Sequence, residues 1–99
     1  EDTIEELRAK IDTYDEMLLD IVKDRMLVAQ EIGKVKKKSK ITILQTDRWN
    51  EIMKKAYEQG SKNGISTKFI DDFYKAIHQE SINQQTKILN SGESNQSIS

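Results

Sequence analysis

Ile4, Leu7, Ile11, Tyr14, Leu18, Ile21, Val28, Ile32 and Val35 recur in alternating steps of three and four, and Arg25 takes the one polar place in the series. A 3.5-residue apolar period sustained over more than four heptads specifies one long helix with a narrow seam for another helix. The chain has no proline to break it. Thr3 and Glu6 have the spacing of a capping box at its start. The expected helix spans residues 4–38, roughly 50 Å at about 1.5 Å per residue. A rod of that length cannot cover itself. The rest of a 99-residue chain is barely enough to do so, and a second chain is therefore expected to enlarge the core.

The polar, β-branched stretch 39–44 ends the pattern. A second helix is expected to start between Gln45 and Asp47 and to carry Trp49, Ile52, Met53, Ala56 and Tyr57. Gly60 and Gly64 mark the next loop, with Ser66 as N-cap of a third helix. That helix is predicted over 67–89, with Ile70, Phe73, Ile77, Ser81, Gln85 and Ile88 on one stripe. The fold class is all-α, three helices per chain with one very long. Residues 1–89 form the domain, and 90–99, with one isoleucine among small and polar residues, are expected to be a disordered tail. The chain opens on Glu1 rather than methionine, from which either a processed chain or, in preference, an excised piece of a larger polypeptide is expected.

Composition narrows the function classes. Hydrophobic residues make up 35% and charged residues 33%, a balance suited to amphipathic helices. With no cysteine and one histidine, disulfides, thiolate zinc sites and histidine-based metal centres are not expected. A net charge of −1 argues against nucleic acid as a partner, despite the local run Lys34, Lys36, Lys37, Lys38, Lys40. No apolar run is of bilayer length and no signal-peptide pattern opens the chain, so no membrane partner and a cytoplasmic location are expected.

The informative residues interrupt the apolar stripes. Arg25 stands in the seam, where an unpaired guanidinium costs several kcal/mol once desolvated. It either sets register, reaches the bundle rim, or meets an anion. Lys36 is eleven residues on, about three turns, so it shares that face roughly 16 Å further along. It is either one lysine of a solvated run or the second cation of a pocket that suits a small dianion. Ser81 and Gln85, one turn apart on the apolar stripe of the third helix, need partners if buried. Arg8 lies seventeen residues before Arg25, about 25 Å on a straight helix, too far to serve the same small ligand from the same chain. It is either a surface arginine beside Glu5 and Asp12 or a residue that a partner chain lends.

Five segments carry a family resemblance. Leu7-Arg8-x-x-Ile11-Asp12-x-x-Asp15, Asp24-Arg25-Met26 and Glu31-Ile32-Gly33-Lys34-x-Lys36 resemble the first helix of AroQ-class chorismate mutases. Asp47-Arg48-Trp49 is similar to the start of that family's second helix, and Ile77-His78-x-Glu80-Ser81-Ile82-x-x-Gln85 to its third. The likeness covers residues 4–89.

The resemblance implies an intertwined homodimer with shared sites and, without any cofactor, the Claisen rearrangement of chorismate to prephenate on the way to phenylalanine and tyrosine. Lys36 and Gln85 would then be the catalytic donors to the ether oxygen. Arg25, Ser81, Arg48 and the partner chain's Arg8 would bind substrate. The family often has an acidic residue three positions before the second-helix arginine and a glutamate after it, where this chain has Gln45 and Trp49. Gln45 can accept from a ring hydroxyl, Trp49 cannot, and Glu51 is the nearby acid that could substitute. His78 is read as structural, since a pericyclic reaction needs no acid or base. The alternatives are isochorismate-pyruvate lyase on the same fold and a non-catalytic helical dimerisation or regulatory module.

Overall fold

The computed structural model describes residues 3–43 and 45–98, with the backbone alone from residue 92 on. Three helices follow in order, α1 (Ile4–Ser39), α2 (Thr46–Lys62) and α3 (Thr67–Ile98), and no strand occurs among the described residues. None of these helices is long and apolar enough to cross a membrane.

Local chemistry sets the helix ends. The Thr3 hydroxyl accepts the Glu6 N–H at 3.2 Å and donates to the Glu6 carboxylate, so one of the free first-turn donors is satisfied. At the other end Lys40 adopts the left-handed conformation, φ 56° and ψ 39°, and its N–H returns to the carbonyls of Lys36 and Lys37. The Ile41 N–H also donates to the Lys36 carbonyl, at 2.9 Å. The last turn carries Lys36, Lys37 and Lys38 at the negative end of the helix dipole.

Gly60 lies inside α2, not in the loop where the sequence puts it. The reason is packing: a Cβ there would come within 2.8 Å of Ile70 Cγ1. Gly64, with φ +71°, makes the turn instead. Ser66 Oγ then accepts the Phe69 N–H at 3.1 Å, the expected cap of α3.

Both α1 and α2 pack on α3, and among the described residues they make no close backbone approach to one another. Met53, Ala56 and Ile70 form the α2–α3 core, with Trp49 and Tyr74 against it. Along α3, Ile70, Ile77, Ser81 and Gln85 are buried and Phe73 and Ile88 half-buried, which is the stripe the sequence predicts.

The face of α1 that meets α3 is displaced by one residue from the apolar seam. Met26, Ala29 and Gly33 are buried there and Val22 and Lys36 half-buried. Small residues permit this: a Cβ on Gly33 would lie 3.1 Å from the Gln85 Cα. Gln30 Nε2 donates to Gln84 Oε1 at 2.9 Å beside that crossing. The apolar members of the seam from Ile4 to Val35 are left 44–67% exposed in the single chain. Every residue from Thr3 to Ile21 is exposed, and the helix gives the subunit a longest extent of 63 Å.

The α3 backbone continues as helix to Ile98, through the stretch expected to be a disordered tail. Elongating an established helix adds a hydrogen bond for each residue fixed, unlike starting one. Side chains from 92 on, and Ser99, lie outside the described residues.

The cap of α1 is a stability test. Lys40 holds a backbone conformation that glycine adopts without a Cβ clash. Lys40→Gly is expected to stabilise the subunit by about 0.5–1 kcal/mol, read as a raised Tm in thermal unfolding followed by circular dichroism.

Candidate active site

Where α1 and α2 diverge over α3 they enclose a cavity of about 390 Å3. Arg25, Ala29 and Lys36 reach it from α1, and Ile43 and Gln45 from the connecting loop. Arg48, Trp49 and Ile52 close one side from α2, while His78, Ser81 and Gln85 form the floor on α3. Six of the seven residues singled out from the sequence (Arg25, Lys36, Gln45, Arg48, Ser81 and Gln85) therefore line one space. Arg8 does not. It sits on the exposed N-terminal half of α1, roughly 25 Å from Arg25 by helix rise.

The buried polar groups satisfy one another across the α1–α3 contact. Arg25 Nη1 donates to Ser81 Oγ at 2.8 Å, and the Ser81 hydroxyl faces Met26 Sδ at 3.8 Å. Lys36 Nζ donates to Gln85 Oε1 at 3.0 Å and to the Ile43 carbonyl at 2.7 Å. An ammonium has three N–H groups, so one remains for a ligand. With its oxygen turned to Lys36, the Gln85 amide has its Nε2 as a second donor, without a protein acceptor among the described residues. Burial lowers the Lys36 pKa from its ordinary 10.5.

Loop and α2 contribute differently. Gln45 occupies the N-cap of α2 and makes no side-chain cap bond, although Ser, Asp or Asn there would contribute about 1 kcal/mol. Gln45 is among the residues that line the cavity. Arg48 pairs with the Glu51 carboxylate at the solvent-exposed rim, a pair of little energetic value by itself. Glu51, the acid considered for a ring contact, is thereby turned to Arg48 and does not line the cavity.

Trp49 and His78 form a wall the sequence does not announce. Their ring centroids are 4.3 Å apart at an interplanar angle of 38°. Burial, followed by the nearby charges of Arg25 and Lys36, lowers the His78 pKa below 6.5, so at neutral pH it is an uncharged packing partner. The Ile43 carbonyl, which fixes the Lys36 ammonium, carries no side-chain signal at all.

The arrangement is a half-enclosed, donor-rich pocket with apolar and aromatic walls, of the kind that holds a small anionic molecule. Comparison with known proteins agrees with that geometry: residues 7–86 match the family described as chorismate mutase type II. The chain belongs to the chorismate mutase type II family. Among its relatives is a 4-amino-4-deoxychorismate mutase of Streptomyces pristinaespiralis, 28% identical over 91 residues, which covers 92% of this chain and 70% of that protein. The match takes in the three helices that build the cavity, from Leu7 in α1 to Thr86 in α3.

The electrostatics of this chorismate mutase family member can be read at its single histidine. The imidazole of His78 should titrate with a midpoint below 6.5 in an NMR pH series, as burial and the two cations require. Arg25→Ala should move that midpoint upward, because one of the opposing charges is removed. An unchanged midpoint would show that Arg25 does not act on the ring.

Proposed function

We propose that the chain is a chorismate mutase, which converts chorismate to prephenate on the route to phenylalanine and tyrosine, and acts as a homodimer. The observation that carries this reading is the pair of donors on Lys36 and Gln85 beside the Arg25–Ser81 contact. In this rearrangement the ether C–O bond breaks as a C–C bond forms within one molecule. No atom is lost and no external acid, base or metal is called for. What an enzyme supplies is a folded conformer of the substrate and donors aimed at the ether oxygen as it gains negative charge.

Each residue then has a role. The third N–H of Lys36 and the Nε2 of Gln85 donate to the ether oxygen, which is where charge grows. Arg25 binds one substrate carboxylate, with Ser81 beside it, and a guanidinium suits this because it can engage both carboxylate oxygens. Arg48 and Gln45 lie towards the opening. Arg8 comes from the second chain, whose α1 covers the exposed seam of the first. Support for the dimer is the 44–67% exposure of that seam's apolar members, more apolar surface in one stripe than a monomeric protein usually leaves open. The domain could also belong to a larger bifunctional enzyme of the aromatic pathway, and a cytoplasmic site of action fits this role.

A second reading draws on the relative. 4-Amino-4-deoxychorismate carries an amine where chorismate carries its ring hydroxyl, and the same donors would serve its rearrangement. Purified chain incubated with chorismate should consume it, with prephenate identified by NMR. No turnover would overturn the reading, and pyruvate release from isochorismate would point to the lyase instead.

Two variants test the assignment of roles. Lys36→Ala and Gln85→Ala should each lower kcat by roughly 10²-fold or more, with a smaller change in KM, as for loss of a transition-state donor. Equal effects on binding and turnover would contradict that role.

Sharing of the site is tested by mixing. Arg8→Ala and Arg25→Ala homodimers should both be weakly active. Unfolding and refolding them together should restore activity, because half of the sites in a mixed dimer hold both arginines. Absence of recovery would rule out a site built from two chains.

A further inference from the structure

Three cations, Arg25, Lys36 and Arg48, line the cavity, and no carboxylate is among its lining residues. The acceptors are as telling as the charges. The Ile43 carbonyl and Gln85 Oε1 both accept from Lys36, and Ser81 Oγ accepts from Arg25. Each pocket oxygen that meets a cation is thus already engaged by one of the protein's own. The Gln45 amide oxygen and the unprotonated ring nitrogen of neutral His78 are the remaining side-chain acceptors in the lining, and neither carries a charge. Of the acids beside the α2 lining residues in sequence, Glu51 is held by Arg48 and Asp47 does not line the cavity. Trp49 turns part of its indole to His78, which reduces the π-face open to a cation.

A ring hydroxyl needs one or two partners and can both give and accept. A ring ammonium brings three donors and no acceptor, and when desolvated it needs an opposite charge. We propose that this site discriminates by charge at the ring position: it takes the hydroxyl-bearing dicarboxylate and rejects the ring-ammonium analogue, because three cations and no carboxylate line it. The proposal rests on the mutase reading above and adds to it a choice between two substrates that share the same carboxylates and the same reacting bonds. Burial first, and then the charges of Arg25 and Lys36, lower the His78 pKa, and the same two charges act against any further positive charge in the cavity.

The test is a comparison of kcat/KM for chorismate and 4-amino-4-deoxychorismate on the wild-type protein, then on Gln45→Glu and Trp49→Glu, with circular dichroism to verify that each variant is folded. Wild type is expected to favour chorismate by about 10²-fold or more, the scale of an uncompensated charge in a binding site. Gln45→Glu, which keeps side-chain length and adds a carboxylate to the lining, should narrow that ratio by about tenfold or more. Rates for the two substrates within about threefold of each other would overturn the discrimination and leave the mutase reading intact. A wild-type preference that both folded variants leave unchanged would overturn its electrostatic cause. Turnover of neither substrate would overturn the mutase reading and, with it, this proposal.

Discussion

The approach of α1 to α3 at Gly33 governs the polar contacts between these two helices. With a Cβ only 3.1 Å from the Gln85 Cα, any side chain at position 33 would push the two helices apart. Flanking that crossing are the contacts from Arg25 to Ser81, one side, and from Lys36 to Gln85, the other. Hydrogen bonds of 2.8 and 3.0 Å tolerate only a few tenths of an ångström before they weaken. A methyl group at Gly33 would therefore be felt first in the cavity and only afterwards in the core. Gly60 does the same for α2 against Ile70, so α3 is gripped at two glycine crossings, and the cavity occupies the space where its two neighbours part.

Much of this was legible in the residues. The start of α1 at Thr3, the start of α3 at Ser66 and the buried stripe through Ile77, Ser81 and Gln85 follow from caps and periodicity. Arg25 and Lys36 share a cavity because their phase on one helix demanded a common face. What periodicity could not tell was which of two adjacent stripes would meet the same chain. The more apolar stripe, Ile21, Val28, Ile32 and Val35, remains exposed, and the less apolar one, Met26, Ala29 and Gly33, is buried. Hydrophobicity ranks faces by transfer free energy, whereas a close helix crossing is selected by small side chains. The two criteria diverge here, and the second decided the fold of the subunit.

Glycine was misleading for a related reason. Gly60 reads as a loop residue because its helix propensity is low, yet a local propensity of about 1 kcal/mol yields to a contact that no larger residue permits. The Trp49–His78 wall was illegible because it joins residues 29 apart in sequence on different helices. The Ile43 carbonyl was illegible because any residue would supply it. Arg8 is the opposite case: its distance from Arg25 followed from helix geometry alone, and in the single chain it stands on the exposed half of α1.

The Lys36 ammonium has a further consequence. A free lysine samples many rotamers, and freezing them costs roughly 1.5–2 kcal/mol. Here the head group is fixed from two directions, by an amide on α3 and by a backbone carbonyl of the loop. Its torsions are therefore arrested by folding, before any ligand arrives. The remaining N–H then has little orientational freedom to lose, and ligand affinity is not diluted by ordering a four-carbon stem. An arginine could carry the same charge, but its planar fork could not reproduce that tripod.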